Sequence, residues 1–179
     1  MTKNNEKPLS LQTMKKAFLA LDQLLKKPVT LIMGGGGSMI MAHQFPLATT
    51  DIDAIPQGMD ISELDPYIKK IALQFGWPGD WLNPHFSSFS YTLPVDYQKR
   101  LIRVFAGHFL FVDALGKEEM LIMKCFAHRA KDIGHAKQLI KLGVNLELVE
   151  KQMGLLQKKG IPGTQAALGF LDDILVEFE

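Results

Sequence analysis

VTLIMGGGGSMIMAHQFPLATTDIDAI, residues 29–55, is the stretch that decides the fold class. Residues 29–33 form a short apolar run rich in β-branched side chains, which predicts a buried strand. Four glycines at 34–37 interrupt this run, and the residues from Ser38 onward predict a short helix. Residues 51–55 predict a second strand. The order strand, glycine turn, short helix and strand indicates a sheet that is covered by helices.

The sequence on either side of this stretch predicts amphipathic helices. Residues 10–27 place apolar side chains at helical spacing, and Ser10 is a plausible cap for the first turn. Residues 62–75 also carry one apolar face, with Ser62 and Asp65 arranged like a capping box. We therefore expect one helix before the first strand and another after the second.

The rest of the chain predicts an irregular loop, a hairpin and a helical half. Residues 76–98 contain repeated prolines and two tryptophans without a period, which is typical of a loop. Residues 101–105 and 109–112 predict a strand hairpin around Gly107. Apolar periodicity then predicts four helices, at 118–130, 132–142, 146–159 and 164–178.

These elements predict an α/β (α+β) fold in which helices flank a small mixed sheet and the C-terminal half is helical. We expect a first domain over residues 1–116 and a helical region over 117–179 that packs on it. The acidic residues concentrate between Asp51 and Asp65, whereas residues 117–159 carry nine Lys and Arg against five acids. This unevenness is compatible with a cleft for a metal and a nucleotide, and equally with two solvated faces.

Composition excludes several classes of protein. The 179 residues are 47% hydrophobic and 22% charged, which are globular values, and 20 Lys and Arg against 19 acids do not indicate a nucleic-acid binder. The single cysteine, Cys125, cannot form an internal disulfide, which fits a reducing compartment. No apolar run is long enough to span a membrane, and the polar start does not resemble a secretory signal. We expect a cytoplasmic protein.

The glycine run is a candidate phosphate-binding turn. Glycines allow backbone N–H groups to approach phosphate oxygens closely, although such runs also form plain tight turns. The run is not a Walker loop, because no Gly-Lys-Ser/Thr sequence follows it. It also fits a dinucleotide-binding fingerprint poorly, because the glycines are not spaced in the required way.

Asp51 and Asp53 form a candidate metal site. Residues two apart on a strand point to the same face, so both carboxylates project together while Ile52 packs into the core. Two carboxylates this close repel each other unless a cation lies between them, and Mg²⁺ binds carboxylate and phosphate oxygens together. The alternative is an acidic pair on a solvated surface, beside a glycine loop that is only a turn.

Three motifs resemble the nucleotidyltransferase superfamily. They are the segment LIMGGGGSMIMAHQFPLATTDIDAI at 31–55, GDWLNPH at 79–85 and MKCFAHRAKD at 123–132. In this order they are most similar to the AbiEii-like branch of abortive-infection toxins and to a related bacterial family of uncharacterised function. The resemblance covers roughly residues 29–142 and implies a nucleotidyltransferase-like fold.

The resemblance also implies a role for individual residues. The phosphates of a nucleoside triphosphate would lie against three residues of the glycine turn, namely Gly36, Gly37 and Ser38. Asp51 and Asp53 would hold Mg²⁺, with Mn²⁺ as an alternative. Lys124 would neutralise triphosphate or transition-state charge, and Asp132 would orient a neighbour or act as base. A hydroxyl would attack the α-phosphate, and pyrophosphate would leave.

Activity depends on a third carboxylate, which is typical of active members of the superfamily. Asp113 is the nearest candidate and Asp96 the next, although we expect Asp113 to cap a helix or turn before Lys117. With a third carboxylate the protein would be an enzyme whose acceptor is a protein, an RNA or a small molecule. Without one it would be an inactive partner-binding module. The resemblance places either in a toxin–antitoxin or phage-defence setting, with a cognate antitoxin or a second copy as partner.

Two further constellations have structural alternatives. If the helix over 118–130 continued to 135, His128, Asp132 and His135 would share one face that could ligate a metal, but we expect Gly134 to break it. Trp77 and Trp81 could stack on a base, although aromatic residues in such a loop more often hold it against the core.

Overall fold

A computed structural model describes residues 8–46 and 48–178. The contacts divide them into two compact units. The first unit contains residues 8–46, 48–87 and 102–114, and the second contains 88–101 and 115–178. A domain boundary at residue 116 stays a prediction.

The first unit contains a mixed five-stranded sheet, as predicted. Its strands are β1 (Val29–Met33), β2 (Ile52–Pro56), β3 (Leu82–Asn83), β4 (Ile102–Ala106) and β5 (Leu110–Ala114). They are ordered β3-β2-β1-β5-β4, so that β1 lies at the centre, antiparallel to β2 and parallel to β5. Strand β3 runs parallel to β2, and β4 pairs with β5 as the predicted antiparallel hairpin.

Three helices complete the first unit: α1 (Leu11–Leu24), α2 (Gly35–Met41) and α3 (Asp65–Phe75). Helices α1 and α3 contact each other and contribute, with one face of the sheet, to a single apolar core. Ser10 caps α1 as predicted. The capping box predicted for Ser62 and Asp65 is wrong, because Asp60 and Glu63 form the box instead, around a short 3₁₀ turn that precedes α3.

The β4–β5 hairpin is attached to α1 by one carboxylate. The Asp22 side chain accepts hydrogen bonds from the backbone N–H groups of His108, Phe109 and Leu110, at 3.0, 2.7 and 2.7 Å. A Cβ atom at Gly107 would lie 2.4 Å from the Asp22 carboxyl carbon, so only glycine permits this approach.

The second unit contains the predicted helical half. Its helices are α4 (Lys117–Ala127), α5 (Ala130–Lys141), α6 (Leu146–Lys158) and α7 (Thr164–Leu175). Helix α4 is the central one, since it contacts the other three and is buried from Glu118 to Phe126. Cys125 is buried within it. None of the helices described is long and apolar enough to cross a membrane.

The break between α4 and α5 differs from the prediction. His128 ends α4 in the left-handed region, with φ 34°, whereas Gly134 lies inside α5. His128 therefore does not share a helix with Asp132 and His135. No cluster of metal-ligating side chains forms there among the residues that the structure describes.

Candidate functional site

The acidic pair lies at the start of β2. Asp51 immediately precedes the strand and Asp53 is its second residue, and both are partly buried. Ile52 between them is fully buried in the core. The two carboxylates therefore lie on one side of the sheet, as strand alternation predicted.

A histidine joins the acidic pair. His85 offers a ring nitrogen, and the ligand atoms of Asp51, Asp53 and His85 all lie within 4.8 Å of one another. His85 is exposed and follows the short strand β3 by two residues. Parallel pairing of β3 with β2 places Asn83 beside Asp53, and this pairing brings His85 to the acids.

Asn83 holds this group together. Its side-chain amide nitrogen donates to Asp51 Oδ2 at 3.0 Å, and its side-chain oxygen accepts from the backbone N–H of His85 at 2.9 Å. Asn83 is only 4% exposed. Hydrogen bonds made inside the protein to a candidate ligand fix its orientation before any ion binds.

The glycine turn packs directly on Asp53. Gly35 has φ 59°, and a Cβ atom there would lie 1.9 Å from Asp53 Oδ2. The backbone N–H of Gly34 also donates to the Asp53 carbonyl oxygen at 2.9 Å. Both the conformation and the contact require glycine at position 35 of the run.

The three glycine-turn residues implied by the resemblance occupy different environments. Gly36 is partly exposed, whereas Gly37 is buried against Met33. Ser38 is fully buried, and its backbone N–H donates to the carbonyl oxygen of Gly34 at 3.1 Å. The backbone N–H groups of Gly35, Gly36 and Gly37 belong to the first turn of α2, where a helix provides no acceptor of its own.

Most of the chain matches one protein family. The sequence profile of DUF6036, a family described as nucleotidyltransferases of unknown function, matches residues 11–158. The chain belongs to this family. The match confirms the nucleotidyltransferase superfamily expected from the three motifs and does not extend to the AbiEii-like branch. No curated protein and no solved structure gives a significant match to the chain.

In this DUF6036 member, neither carboxylate considered as a third ligand joins the group that the structure brings together. Asp113 lies in β5, opposite Ile32 of β1 and beside Arg103 of β4. Arg103 forms an ion pair with it, including a contact of 3.1 Å between Nη2 and Oδ2. Asp96 accepts from Arg100 at 2.9 Å in the second unit.

The helix cap predicted for Asp113 is wrong. The residue is part of β5, and Gly116 occupies the N-cap position of α4. One strand, β1, lies between the strands that carry Asp113 and Asp53, which corresponds to about 10 Å between their backbones. Arg103 lies directly across the hairpin from Asp113. The Asp113 carboxylate therefore accepts hydrogen bonds from the Arg103 guanidinium and not from the backbone N–H groups at a helix start.

The other two predicted site residues pair with each other in the second unit. Lys124 Nζ of α4 lies 3.0 Å from Asp132 Oδ1 of α5, and both side chains are at most 5% exposed. Burial lowers the pKa of Lys124, although the charge of Asp132 acts in the opposite direction. Burial acts to raise the pKa of Asp132, but hydrogen bonds from His135 and Arg129 and the charge of Lys124 bring it well below its usual range.

The tryptophans hold their loop against the first unit, which is the structural alternative. Trp81 is fully buried, and its indole N–H donates to the carbonyl oxygen of Ile68 at 2.9 Å. Trp77 packs edge-on against Trp81 and stacks on Phe75. These contacts position the residues that follow, Asn83 and His85.

Sequence reasoning missed the roles of Asn83 and His85. Both lie in the motif GDWLNPH, but strand β3 is two residues long and has no periodicity of its own. The available signal was chemical, since an amide and an imidazole follow a buried tryptophan in an otherwise irregular loop.

Proposed function

We propose that this protein binds a nucleoside triphosphate with a divalent cation at Asp51 and Asp53 and transfers the nucleotidyl group to a hydroxyl. One observation carries the proposal: a glycine turn contacts one of two carboxylates whose oxygens lie within 4.8 Å of each other and of His85. Family membership supports the nucleotide as substrate.

The residues present fit a divalent cation. Two carboxylates that converge without an ion repel each other, and their oxygens are ligands for Mg²⁺. His85 adds a nitrogen donor, which suits Mn²⁺ better than Mg²⁺. We propose Mg²⁺ held by Asp51 and Asp53, with Mn²⁺ accepted as well. A bound cation would neutralise phosphate charge and polarise the phosphoryl oxygens.

The glycine turn would position the triphosphate. Gly36 and Gly37 would donate backbone N–H groups to phosphate oxygens, and Ser38 would stabilise the turn from beneath. By the family resemblance, Lys124 would offset phosphate charge and Asp132 would orient it. The buried pair that these two residues form is compatible with that orienting role and also with a purely structural one.

The transfer itself is an in-line displacement. A lone pair of the acceptor hydroxyl forms a new O–P bond to the α-phosphorus, and the bond from that phosphorus to the bridging oxygen breaks. The bridging oxygen leaves with its electron pair as part of pyrophosphate, and the hydroxyl proton passes to solvent. Positioning and electrostatic stabilisation supply most of the catalysis in such transfers.

A thermal-shift experiment tests the binding step. Each nucleoside triphosphate is added with Mg²⁺, with Mn²⁺ or with chelator, to the parent and to the double variant Asp51→Asn/Asp53→Asn. At one hundred times the dissociation constant the parent gains about 2.7 kcal/mol, or a rise in Tm of about 5–10 °C. We expect this rise to require the cation and to vanish in the double variant.

The matched control replaces two other neighbouring aspartates. Asp172 and Asp173 are exposed on α7, and Asp172→Asn/Asp173→Asn removes the same charge. The control should keep the full metal-dependent rise. If no nucleotide raises Tm, or if the rise persists in Asp51→Asn/Asp53→Asn, the proposal is wrong.

A second candidate function, an inactive module that binds a partner, is supported by one observation. Among the described residues, the group of candidate ligands contains Asp51, Asp53 and one histidine, His85, but no third carboxylate. This proposal includes the toxin–antitoxin setting, in which the partner is a cognate antitoxin or a second copy. That setting rests on the resemblance of the three motifs to abortive-infection toxins. Triphosphate labelled at the α-phosphorus separates the two functions, because only the enzyme yields a labelled acceptor and pyrophosphate.

A further inference from the structure

A cavity opens in the first unit beside the acidic pair. Its volume is about 660 Å³, which lies in the range of small-molecule sites. Ile68 and Leu82 form a buried apolar floor, and exposed polar residues line the rim, among them Asp80 and Lys69. An apolar floor with a few polar groups is the usual composition of a ligand site.

The cavity shares two residues with the candidate site. Asn83, which holds the Asp51 carboxylate, and His85, which joins the acidic pair, both line it. These residues belong to β3 and the loop after it, on one flank of β2. The glycine turn follows β1 on the opposite flank of β2 and contacts Asp53 from there. The acidic pair therefore lies between the glycine turn and the cavity.

The geometry of in-line displacement assigns a different reactant to each side of the acidic pair. The attacking oxygen and the leaving pyrophosphate must lie on opposite sides of the α-phosphorus. If the phosphates that leave lie against the glycine turn, the attacking hydroxyl arrives from the side of the cavity. We propose that this cavity is the acceptor subsite and takes a small hydroxyl compound that is neutral or positively charged; this rests on the nucleotidyl transfer proposed above.

The charged residues that line the cavity indicate which acceptors it can bind. Two carboxylates, Asp65 and Asp80, face one ammonium group, Lys69, and Lys69 is already paired with Asp65 at 2.6 Å. No cation among the described residues pairs with Asp80. The charged lining residues therefore leave the cavity with a net negative charge, even when a cation neutralises Asp51 and Asp53. A phosphate-bearing acceptor such as an RNA end would be repelled, whereas an amine or a neutral hydroxyl compound would not.

Three primary alcohols of different charge test this inference. Ethanolamine is a cation at pH 7, ethylene glycol is neutral and glycolate is an anion. With α-labelled triphosphate and Mg²⁺, we expect the parent to label ethanolamine and ethylene glycol faster than glycolate. Asp80→Lys reverses one charge at the rim, and at a distance of about 6 Å in water of low ionic strength this lowers the ratio of ethanolamine to glycolate by about a hundredfold.

The control reverses a charge elsewhere. Glu150 is exposed on α6, and Glu150→Lys should leave the ratio unchanged. A second pair of variants tests occupancy. A Cβ atom at Gly79 or at Gly154 would meet nothing within 4 Å, so a side chain at either position begins in open space. Gly79→Phe, at the rim, should reduce labelling of all three alcohols at least several-fold, and Gly154→Phe should not.

The outcomes separate this inference from the function beneath it. If triphosphate and Mg²⁺ do not raise Tm, the proposed function itself fails. If they do, and Asp80→Lys keeps that rise without changing the acceptor ratio, the cavity is not the acceptor subsite. Preference of the parent for glycolate, labelling of an RNA 3′ end or of protein in place of the alcohols, or no labelled alcohol at all would equally overturn the inference.

Discussion

Asn83 shows how one buried amide determines the geometry of a candidate site. It orients Asp51 through its nitrogen and the loop of His85 through its oxygen. An amide suits both contacts, since it donates and accepts at the same time. An aspartate at this position could accept but not donate, and it would add a third negative charge beside Asp51.

The variant Asn83→Ala should bind a divalent cation more weakly than the parent. The variant leaves both carboxylates in place but frees Asp51 and His85 to rotate. We expect the affinity for Mn²⁺, measured by calorimetry on the folded protein, to fall by about tenfold to a hundredfold. Asn145→Ala is the control, since it removes another structural asparagine, the cap of α6, and should leave metal affinity unchanged. A loss of stability with unaltered metal affinity would show that Asn83 only supports the loop.

At the scale of elements, a buried ion pair links α4 to α5. Lys124 on α4 meets Asp132 on α5, and Asp132 also accepts from Arg129 and lies near His135. The partners are unequal, because Asp132 has other cationic or polar neighbours while Lys124 has Asp132 as the ion-pair partner that the structure shows. Removing the acid therefore leaves the larger uncompensated charge.

This asymmetry gives a prediction for the pair. Asp132→Leu leaves a buried lysine without a counter-charge and should lower the free energy of unfolding by about 3–5 kcal/mol. Lys124→Met should cost less, because Arg129 still neutralises Asp132. The double variant Lys124→Met/Asp132→Leu should be more stable than Asp132→Leu alone, by urea denaturation. Equal costs for the two single variants would contradict the structural account of the pair.

At the scale of the whole molecule, stability should depend on pH through carboxylates in both units. Partial burial raises the pKa of Asp22 in the first unit, but hydrogen bonds from three backbone N–H groups lower it by more. Asp132 in the second unit also has a lowered pKa. Groups whose pKa is lower in the folded state stabilise it above their unfolded pKa, about 3.9, and lose this contribution as the pH falls further. Burial raises the pKa of Glu119, which acts in the opposite sense.

We therefore expect the Tm to fall steeply as the pH drops below about 4. In Asp22→Asn the fall should be shallower, and at pH 7 the variant should be less stable by about 2 kcal/mol, because hydrogen bonds to a charged acceptor are lost. Calorimetry across pH 2–7 measures both effects, and Asp172→Asn serves as a control at an exposed site. A parent-like pH profile in Asp22→Asn would show that this carboxylate does not carry the dependence.

Local patterns could predict the central part of this fold. Strand β1 lies where the apolar run predicts it, and Asp51 and Asp53 share a side because alternation along a strand is fixed by the backbone. Helix positions in the second unit follow from apolar periodicity in the same way. Helix ends were less predictable, as the break at His128 shows, because they depend on a single left-handed residue.

By itself, then, the sequence determined most of the elements, though not strand β3, together with the mixed α/β class and the convergence of two acids beside a glycine turn, because each of these depends on neighbours within a few residues. Only the tertiary structure decided which residues distant in the sequence lie at that site and which do not. Parallel pairing of β3 with β2 brings His85 close to the two acids, which lie some thirty residues earlier in the sequence. Pairing of β4 with β5 places Asp113 opposite Arg103, with which it forms an ion pair. These contacts depend on strand pairing and burial, which no local pattern encodes.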